Sequence, residues 1–311
     1  MPTLPSLRSL RQETVSEQHP KPLHIMTITR GGLGNILFQW LATEAHALAH
    51  PERKPVTSYM SGTTDKRPDI TAYEMFSKVA TFEKLDIPRS AEIYKETSFP
   101  YKSIPAPQKE NQLLDGYFQS WKYIHPHRRQ LVTELRRHGG DALADANTWL
   151  KRTREQNQDK RLVGVHVRQG DYLAPENRDK HYICDAGFWE RSLRTSLAAG
   201  IVKDPNHDVF VIASDDPAAV KKMHAFKGLQ AAGYTVLWLP PGDDPATTER
   251  TFWILAGMDS LLVSNSSFSL GAWMCRDRVT QLVAPARWFS GTPSTPFKIS
   301  DIVPEDTLLI E

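Results

Sequence analysis

In the second half of the chain, short β-branched runs alternate with amphipathic helical stretches, and no other feature restricts the fold as much. Segments 162–167, 209–213, 235–239, 261–263 and 281–284 read as strands, and 185–199, 217–230, 247–258 and 267–275 read as helices between most of them. Strands joined through helices are not hairpins, so the pattern predicts an α/β fold with a mostly parallel sheet covered by helices. The first half begins the same way, with a strand at 23–29, a turn at Gly31-Gly32-Leu33-Gly34-Asn35 and a helix over 36–50. A further strand is expected at 112–115 and helices at 127–138 and 141–156, whereas 51–107 reads as irregular, with only short elements. A single core stops growing beyond roughly 250–300 residues, so 311 residues predict two domains. The expected division is a disordered tail at 1–22, an N-terminal α/β domain at 23–155 and a C-terminal Rossmann-like domain at 156–311, with the charged stretch 151–161 as linker.

Charge removes one class of partner. Lys plus Arg number 38 and Asp plus Glu 36, a formal net charge of +2, which gives no field to hold a nucleic-acid backbone. The two cysteines, Cys184 and Cys275, show neither metal-site spacing nor a disulfide framework, and are expected to be packing residues in a reducing compartment. No apolar run reaches the roughly 18 residues of a spanning helix, and the polar first 22 residues lack the apolar centre of a secretory signal. The expectation is a cytoplasmic chain or one peripheral to a membrane.

In open α/β sheets ligands gather beyond the carboxyl ends of the strands, so residues just after each strand are the first candidates. The glycine loop at 31–34 opens a helix whose N–H groups can approach an anion, or is simply a tight turn. A dinucleotide fingerprint would need glycine at 37, where the chain has Leu37, which argues against a nicotinamide oxidoreductase. The strand at 162 runs into His166-Val167-Arg168-Gln169-Gly170-Asp171-Tyr172. Arg168 can grip a pyrophosphate with parallel charge-assisted hydrogen bonds, or can be a surface arginine paired with Asp171. His166 is either a nucleotide contact or a satisfied core histidine. In Ser214-Asp215-Asp216-Pro217 one aspartate suffices to cap the next helix, and the other is left for a guanine edge or ribose hydroxyls. Ser264-Asn265-Ser266-Ser267-Phe268-Ser269 precedes a helix, where hydroxyls and free N–H groups stabilise a phosphate or merely cap. Trp121, Tyr123 and Trp189 have ring faces that can stack on a sugar, although core packing is the commoner fate of such residues.

Five segments taken together, GGLGN with Phe38-Gln39, GYFQSWKY at 116–123, HVRQGDY at 166–172, SDD at 214–216 and SNSSFS at 264–269, resemble the α-1,2-fucosyltransferase family over residues 24–290. The resemblance implies a GT-B-like pair of Rossmann-like domains facing a cleft. It also implies an inverting, metal-independent transfer of fucose from GDP-fucose to a glycan acceptor, in this family O2 of a β-galactoside, with no cofactor. Carried over motif by motif, Arg168 would bind the donor phosphates, His166 and Asp215 or Asp216 the nucleoside, and Asn265, Ser266, Ser267 and Phe268 the phosphate and sugar side. Gly32, Asn35, Gln39, Tyr117 and Gln119 would line the acceptor side. Asp171 and Glu176 are the carboxylates near Arg168 in sequence that can serve as general base, Asp171 slightly preferred. The chain departs from the family pattern at Gln169, where a second arginine is usual, at Leu270-Gly271 in place of a tryptophan pair, and at Ile36-Leu37. The absence of any Asp-x-Asp triplet fits transfer without a metal. Two alternatives are a fucosyltransferase of another linkage and a noncatalytic nucleotide-sugar-binding relative in which Gln169 disables turnover.

Overall fold

The structure, a computed structural model, describes residues 23–59, 87–242, 244–291 and 298–311, with the side chains of residues 59, 171, 176 and 178 outside the description. The expected tail at 1–22 lies outside the described residues.

The first half contributes β1 (Leu23–Thr29), β2 (Arg53–Tyr59), β3 (Glu92–Lys95) and β4 (Asn111–Asp115) to a four-stranded sheet of order β2-β1-β4-β3, parallel throughout. A parallel pair needs a crossover, and α1 (Leu33–Leu48) supplies it between β1 and β2. Strands β2 and β3 fall in the stretch that reads as irregular, and both are edge strands. Pro55 lies in β2, where an edge position tolerates the missing N–H, and β3 leaves Ile93 62 % exposed, so neither carries a buried-strand pattern.

The second half contributes β5 (Arg161–Val167), β6 (Asp208–Ser214), β7 (Thr235–Trp238), β8 (Ser260–Val263), β9 (Gln281–Pro285) and β10 (Leu308–Ile310). Its sheet, in the order β10-β9-β8-β5-β6-β7, is again parallel throughout. The chain leaves β5 toward β6 and β7 on one side, then returns to build β8, β9 and β10 on the other. This is the doubly wound order, with its switch point between β5 and β8. Helices α2 (Arg128–Arg137) and α3 (Gly140–Gln156) precede this sheet, and α4 (Ala186–Ala198), α5 (His224–Ala231), α6 (Pro245–Ala256) and α7 (Ser267–Met274) cover it.

Side chains alternate across β5. Val163, Val165 and Val167 enter a cluster with Phe188, Trp189, Phe210 and Phe226, whereas Leu162 joins the main core on the other face. That main core crosses between the halves, taking Ile25, Leu37 and Leu114 from the first and Phe252, Leu261 and Leu270 from the second. Helix α1 is buried nearly all round because β1 and α7 both pack against it. Three arginine bonds fasten the carboxyl end of α7. Arg128 Nε donates to Met274 O at 2.7 Å and its Nη2 to Arg276 O at 2.6 Å, while Arg136 Nη1 donates to Cys275 O at 3.2 Å. Cations there satisfy the last carbonyls and suit the negative end of the helix dipole.

Two sequence expectations are corrected. Residues 151–161 are not a linker, because α3 continues to Gln156 and β5 starts at Arg161. Their charges form an ion-pair face, in which Arg154 meets Asp259 at 2.7 Å while Thr153 is buried beneath. The helix expected over 217–230 is broken into Pro217–Val220 and α5. A continuous helix would set Phe226 roughly 120° round the axis from Val220, and the break returns both to one cluster. Cys184 and Cys275 are both buried and free, and burial pushes each thiol up to about 12. Trp189 is fully buried with its indole N–H on Cys184 O at 3.1 Å, which removes it as a sugar platform. Trp121 donates to Ser300 O at 2.9 Å, and Tyr123 packs edge-on against Phe118. Among the described residues no helix is long and apolar enough to cross a membrane.

Candidate active site

At the switch point of the second sheet the ends of β5 and β8 are tied together by Ser264. Its hydroxyl donates to His166 O at 3.1 Å and accepts from the Arg168 backbone N–H at 2.9 Å. Arg168 is thereby fixed at its backbone, and its guanidinium is held from two sides. Nη1 lies 3.1 Å from Asp215 Oδ2, and the group sits 5.7 Å from the centre of the Tyr172 ring. The Tyr172 hydroxyl donates to Asn265 O at 3.0 Å, which sets the ring's height over the loop. A guanidinium carries five N–H donors in a planar fork, a geometry that matches the oxygens of a phosphate.

The two aspartates of the 214–216 segment divide the roles that sequence left open. Asp216 caps the helix Pro217–Val220 by accepting from Ala219 N–H at 2.9 Å. Asp215 accepts from Gln169 N–H at 2.8 Å through Oδ1 and holds Arg168 through Oδ2. Gly170 makes room for this carboxylate, since a Cβ there would stand 2.4 Å from Asp215 Oδ2. Gln169, where an arginine was expected, is only 6 % exposed.

His166 is buried with its Nδ1 unpartnered, and its ring lies 5.3 Å from Phe268. Burial, and secondarily the charge of Arg168, lower its pKa from 6.5 to about 3, so the imidazole is neutral at physiological pH. The unfolded chain binds this proton and the folded chain does not. Stability is therefore fully present above about pH 6.5 and is lost as pH falls toward 3. Between pH 7.5 and 5 the loss from this residue is about 2 kcal/mol. Urea unfolding of His166→Gln at the two pH values is expected to show a decline smaller by that amount.

The N-cap residue of α7 is Ser266, whose side chain makes no capping bond, and that of α1 is Gly32, which has none to offer. The two amino ends converge. Gly34 abuts the opposite backbone, where an added Cβ would lie 2.4 Å from Phe268 N. Asn35 Oδ1 accepts from Ser267 Oγ at 2.7 Å and from Gln119 Nε2 at 2.5 Å, joining the two halves by side chains distant in sequence. Gly31 has φ +85°, which favours glycine and turns the loop into α1. Two partly positive helix ends therefore meet, and Ser264, which holds the Arg168 backbone, lies two residues before the N-cap of α7, an arrangement suited to an anion. Among the described residues no three His, Cys, Asp or Glu side chains gather as a metal site requires.

Some candidates are consumed internally. Gln39 is fully buried, donating to Arg30 O at 2.8 Å and Asn35 O at 2.9 Å and accepting from Arg30 N–H, so it holds the glycine loop from within. Asn265 is 2 % exposed and its amide donates to Trp288 O at 2.7 Å, which makes it a brace between loops. Tyr117 gives its backbone N–H to Glu96 and presents its ring to Arg30 at 5.0 Å. The backbones of Asp171 and Glu176 lie in the turn Gly170–Leu173 and the helix Pro175–Arg178, and their side chains lie outside the described residues. Ser264 and Gly34 were read only as parts of the serine-rich segment and the glycine loop, without a role of their own, whereas Arg30 and Glu96 were not singled out. Position after a strand could have flagged Arg30, but nothing in the sequence marks Glu96. Two of the noted departures meet in space, because a Cβ on Gly271 would lie 2.7 Å from Leu37 Cδ2. Leu37 thus fills room that a tryptophan at 271 would need.

The family model for glycosyl transferase family 11 matches residues 91–297. Galactoside 2-alpha-L-fucosyltransferase SEC1 of Bos taurus is 25 % identical over 174 residues, which are 55 % of this chain and 43 % of that protein. The chain thus spans less than half the length of that curated relative. Among solved structures, NodZ alpha-1,6-fucosyltransferase soaked with GDP-fucose superposes with a TM-score of 0.50 at 12 % identity, covering 82 % of this chain and 93 % of that one. A point mutant of Arabidopsis thaliana FUT1 in complex with GDP gives a TM-score of 0.49 at 10 % identity, covering 84 % and 70 %. At such identities the NodZ likeness speaks for the fold alone, the GT-B-like pair of α/β domains expected from the sequence.

Proposed function

The chain belongs to glycosyl transferase family 11, and on that premise we propose that it transfers L-fucose from GDP-fucose to a hydroxyl of a glycan acceptor, O2 of a β-galactoside, with inversion at the anomeric carbon. One observation carries the reading. Arg168, braced by Asp215, Tyr172 and Ser264, stands at the switch point beside the uncapped amino end of α7. Positive groups fixed in advance stabilise charge that develops on a departing diphosphate without reorganising during the reaction.

In the proposed step the acceptor oxygen forms a bond to fucose C1 while the bond from C1 to the GDP β-phosphate oxygen breaks. The leaving electron pair ends on GDP, facing Arg168 and the α7 amides. The acceptor proton passes to a carboxylate, for which Asp171 and Glu176 are proposed because they follow Arg168 in the same segment. Neutral His166, packed against Phe268, adds no charge to the site and is proposed to contact the nucleoside. Transfer is proposed to need no divalent metal, since Arg168 and the helix ends supply the positive charge that a metal would otherwise bring.

The test is GDP release from GDP-fucose in EDTA-treated buffer with and without lactose, followed by assignment of the product linkage. Acceptor-dependent release with a 2-linked product is the expected result. GDP binding without release would favour a noncatalytic relative, and no binding of guanine nucleotide would sink the reading.

A further inference from the structure

The carboxyl edge of the N-terminal sheet holds a second organised cluster. Arg30, directly after β1, has its own peptide clamped on both sides by buried Gln39, accepting at 2.8 Å and donating at 3.2 Å. Its guanidinium meets Asp115 Oδ1 at 2.8 Å, and the two side chains stay 37 % and 31 % exposed, so the pair is open to solvent. The Tyr117 ring lies 5.0 Å from that guanidinium.

The backbone under Tyr117 is held with equal care. Glu96 Oε2 accepts from the N–H groups of Tyr117 at 2.7 Å and Phe118 at 2.9 Å. Phe118 has φ +51°, a left-handed conformation that a bulky residue adopts only under constraint. Gly116 is required beside it, because a Cβ there would stand 2.4 Å from Glu96 Cβ. Gln119, next along, reaches Asn35, which also takes the hydroxyl of Ser267, so the cluster is in fixed register with the donor half. An exposed ion pair contributes little to stability and does not account for a strained turn and a buried clamp built around it. Side chains held this firmly yet left open are characteristic of a binding site.

We propose that Arg30, Asp115 and Tyr117 form the subsite for a neutral pyranose ring of the acceptor, with Glu96 and Gln39 as its positioning residues. The proposal rests on the fucosyl-transfer reading and names where the acceptor sits. A guanidinium beside a carboxylate offers donors and acceptors together, which is what vicinal hydroxyls need, and the Tyr117 ring offers a surface to the C–H face of a sugar. Mutual neutralisation of Arg30 and Asp115 leaves no net charge to draw an acidic sugar.

Steady-state transfer from GDP-fucose to lactose and to N-acetyllactosamine, with GDP affinity measured alongside by calorimetry, tests this. Arg30→Gln and Tyr117→Ala are expected to raise the acceptor KM ten-fold or more while the Kd for GDP shifts less than two-fold. Glu96→Ala is expected to raise the same KM, and Glu96→Gln, which keeps one oxygen for the two amides, to hold it within three-fold of wild type. An unchanged acceptor KM in an active enzyme, a parallel rise in the GDP Kd, or equal damage from Glu96→Gln and Glu96→Ala would each overturn the subsite. A wild type that hydrolyses GDP-fucose yet transfers to neither neutral disaccharide would overturn the sugar class alone. A wild type that binds no GDP would overturn the functional reading and the subsite with it.

Discussion

Arg168→Ala is expected to lower kcat/KM for the proposed fucosyl transfer by a hundred- to thousand-fold, about 3–4 kcal/mol, with little loss of fold stability. That magnitude is the usual cost of removing one preorganised group from a developing negative charge in a site that excludes water. Stability changes little because the pair with Asp215 is partly exposed, with side chains 35 % and 24 % accessible, and such pairs contribute about 1 kcal/mol or less. Arg168→Lys restores the charge but not the planar fork, and is expected to recover only about a tenth of the activity. Transfer kinetics beside a thermal melt separate the two effects. A fall below five-fold in the alanine variant would remove Arg168 from the phosphate.

Gly34→Ala is expected to destabilise the protein by about 3 kcal/mol and to cut transfer at least a hundred-fold at temperatures where it remains folded. The added methyl would stand 2.4 Å from Phe268 N and from Ser267 C. Both are backbone atoms at the start of α7, so no rotamer change relieves the overlap and the two helix ends must separate. Separation strains the hydrogen bond from Ser267 to Asn35 and moves the α7 amides away from the proposed phosphate position. Gly228→Ala provides the contrast. Its Cβ meets nothing within 4 Å, and in the interior of α5 alanine is favoured over glycine by up to about 1 kcal/mol. Denaturant midpoints for both variants check the sign reversal, and equal effects would show that contact at Gly34 is not the cause.

Much of this was legible because parallel strands with helical crossovers are encoded locally. The runs ending at Val167, Ala213 and Val263 announce themselves as short, apolar and partly β-branched, and topology then places Arg168, Asp215 and Ser267 after the carboxyl ends of neighbouring strands. Illegible were the partnerships. Two adjacent aspartates look alike in sequence, and only folding shows that Asp216 faces a helix end and Asp215 faces Arg168. Gln39 and Asn265 sit in motifs that read as ligand contacts, yet their amides are used up by backbone groups that become neighbours only in the folded chain. Glu96 was hidden for a different reason. It follows an edge strand too short and too exposed to carry a periodic signal, so nothing in 51–107 distinguished one carboxylate from another.

The hydrophobic cluster that runs from Ile25 and Leu37 into Phe252 and Leu270 has a consequence for how the molecule comes apart and how it can be altered. Because one apolar cluster spans both sheets, the two halves are expected to melt together, and calorimetry should record one transition. Neither half is a transplantable module, since excising one would lay bare the flank of α1 that α7 covers. Change in what the enzyme accepts is therefore channelled into the rim loops, where residues can be exchanged without reopening the interior that both halves share.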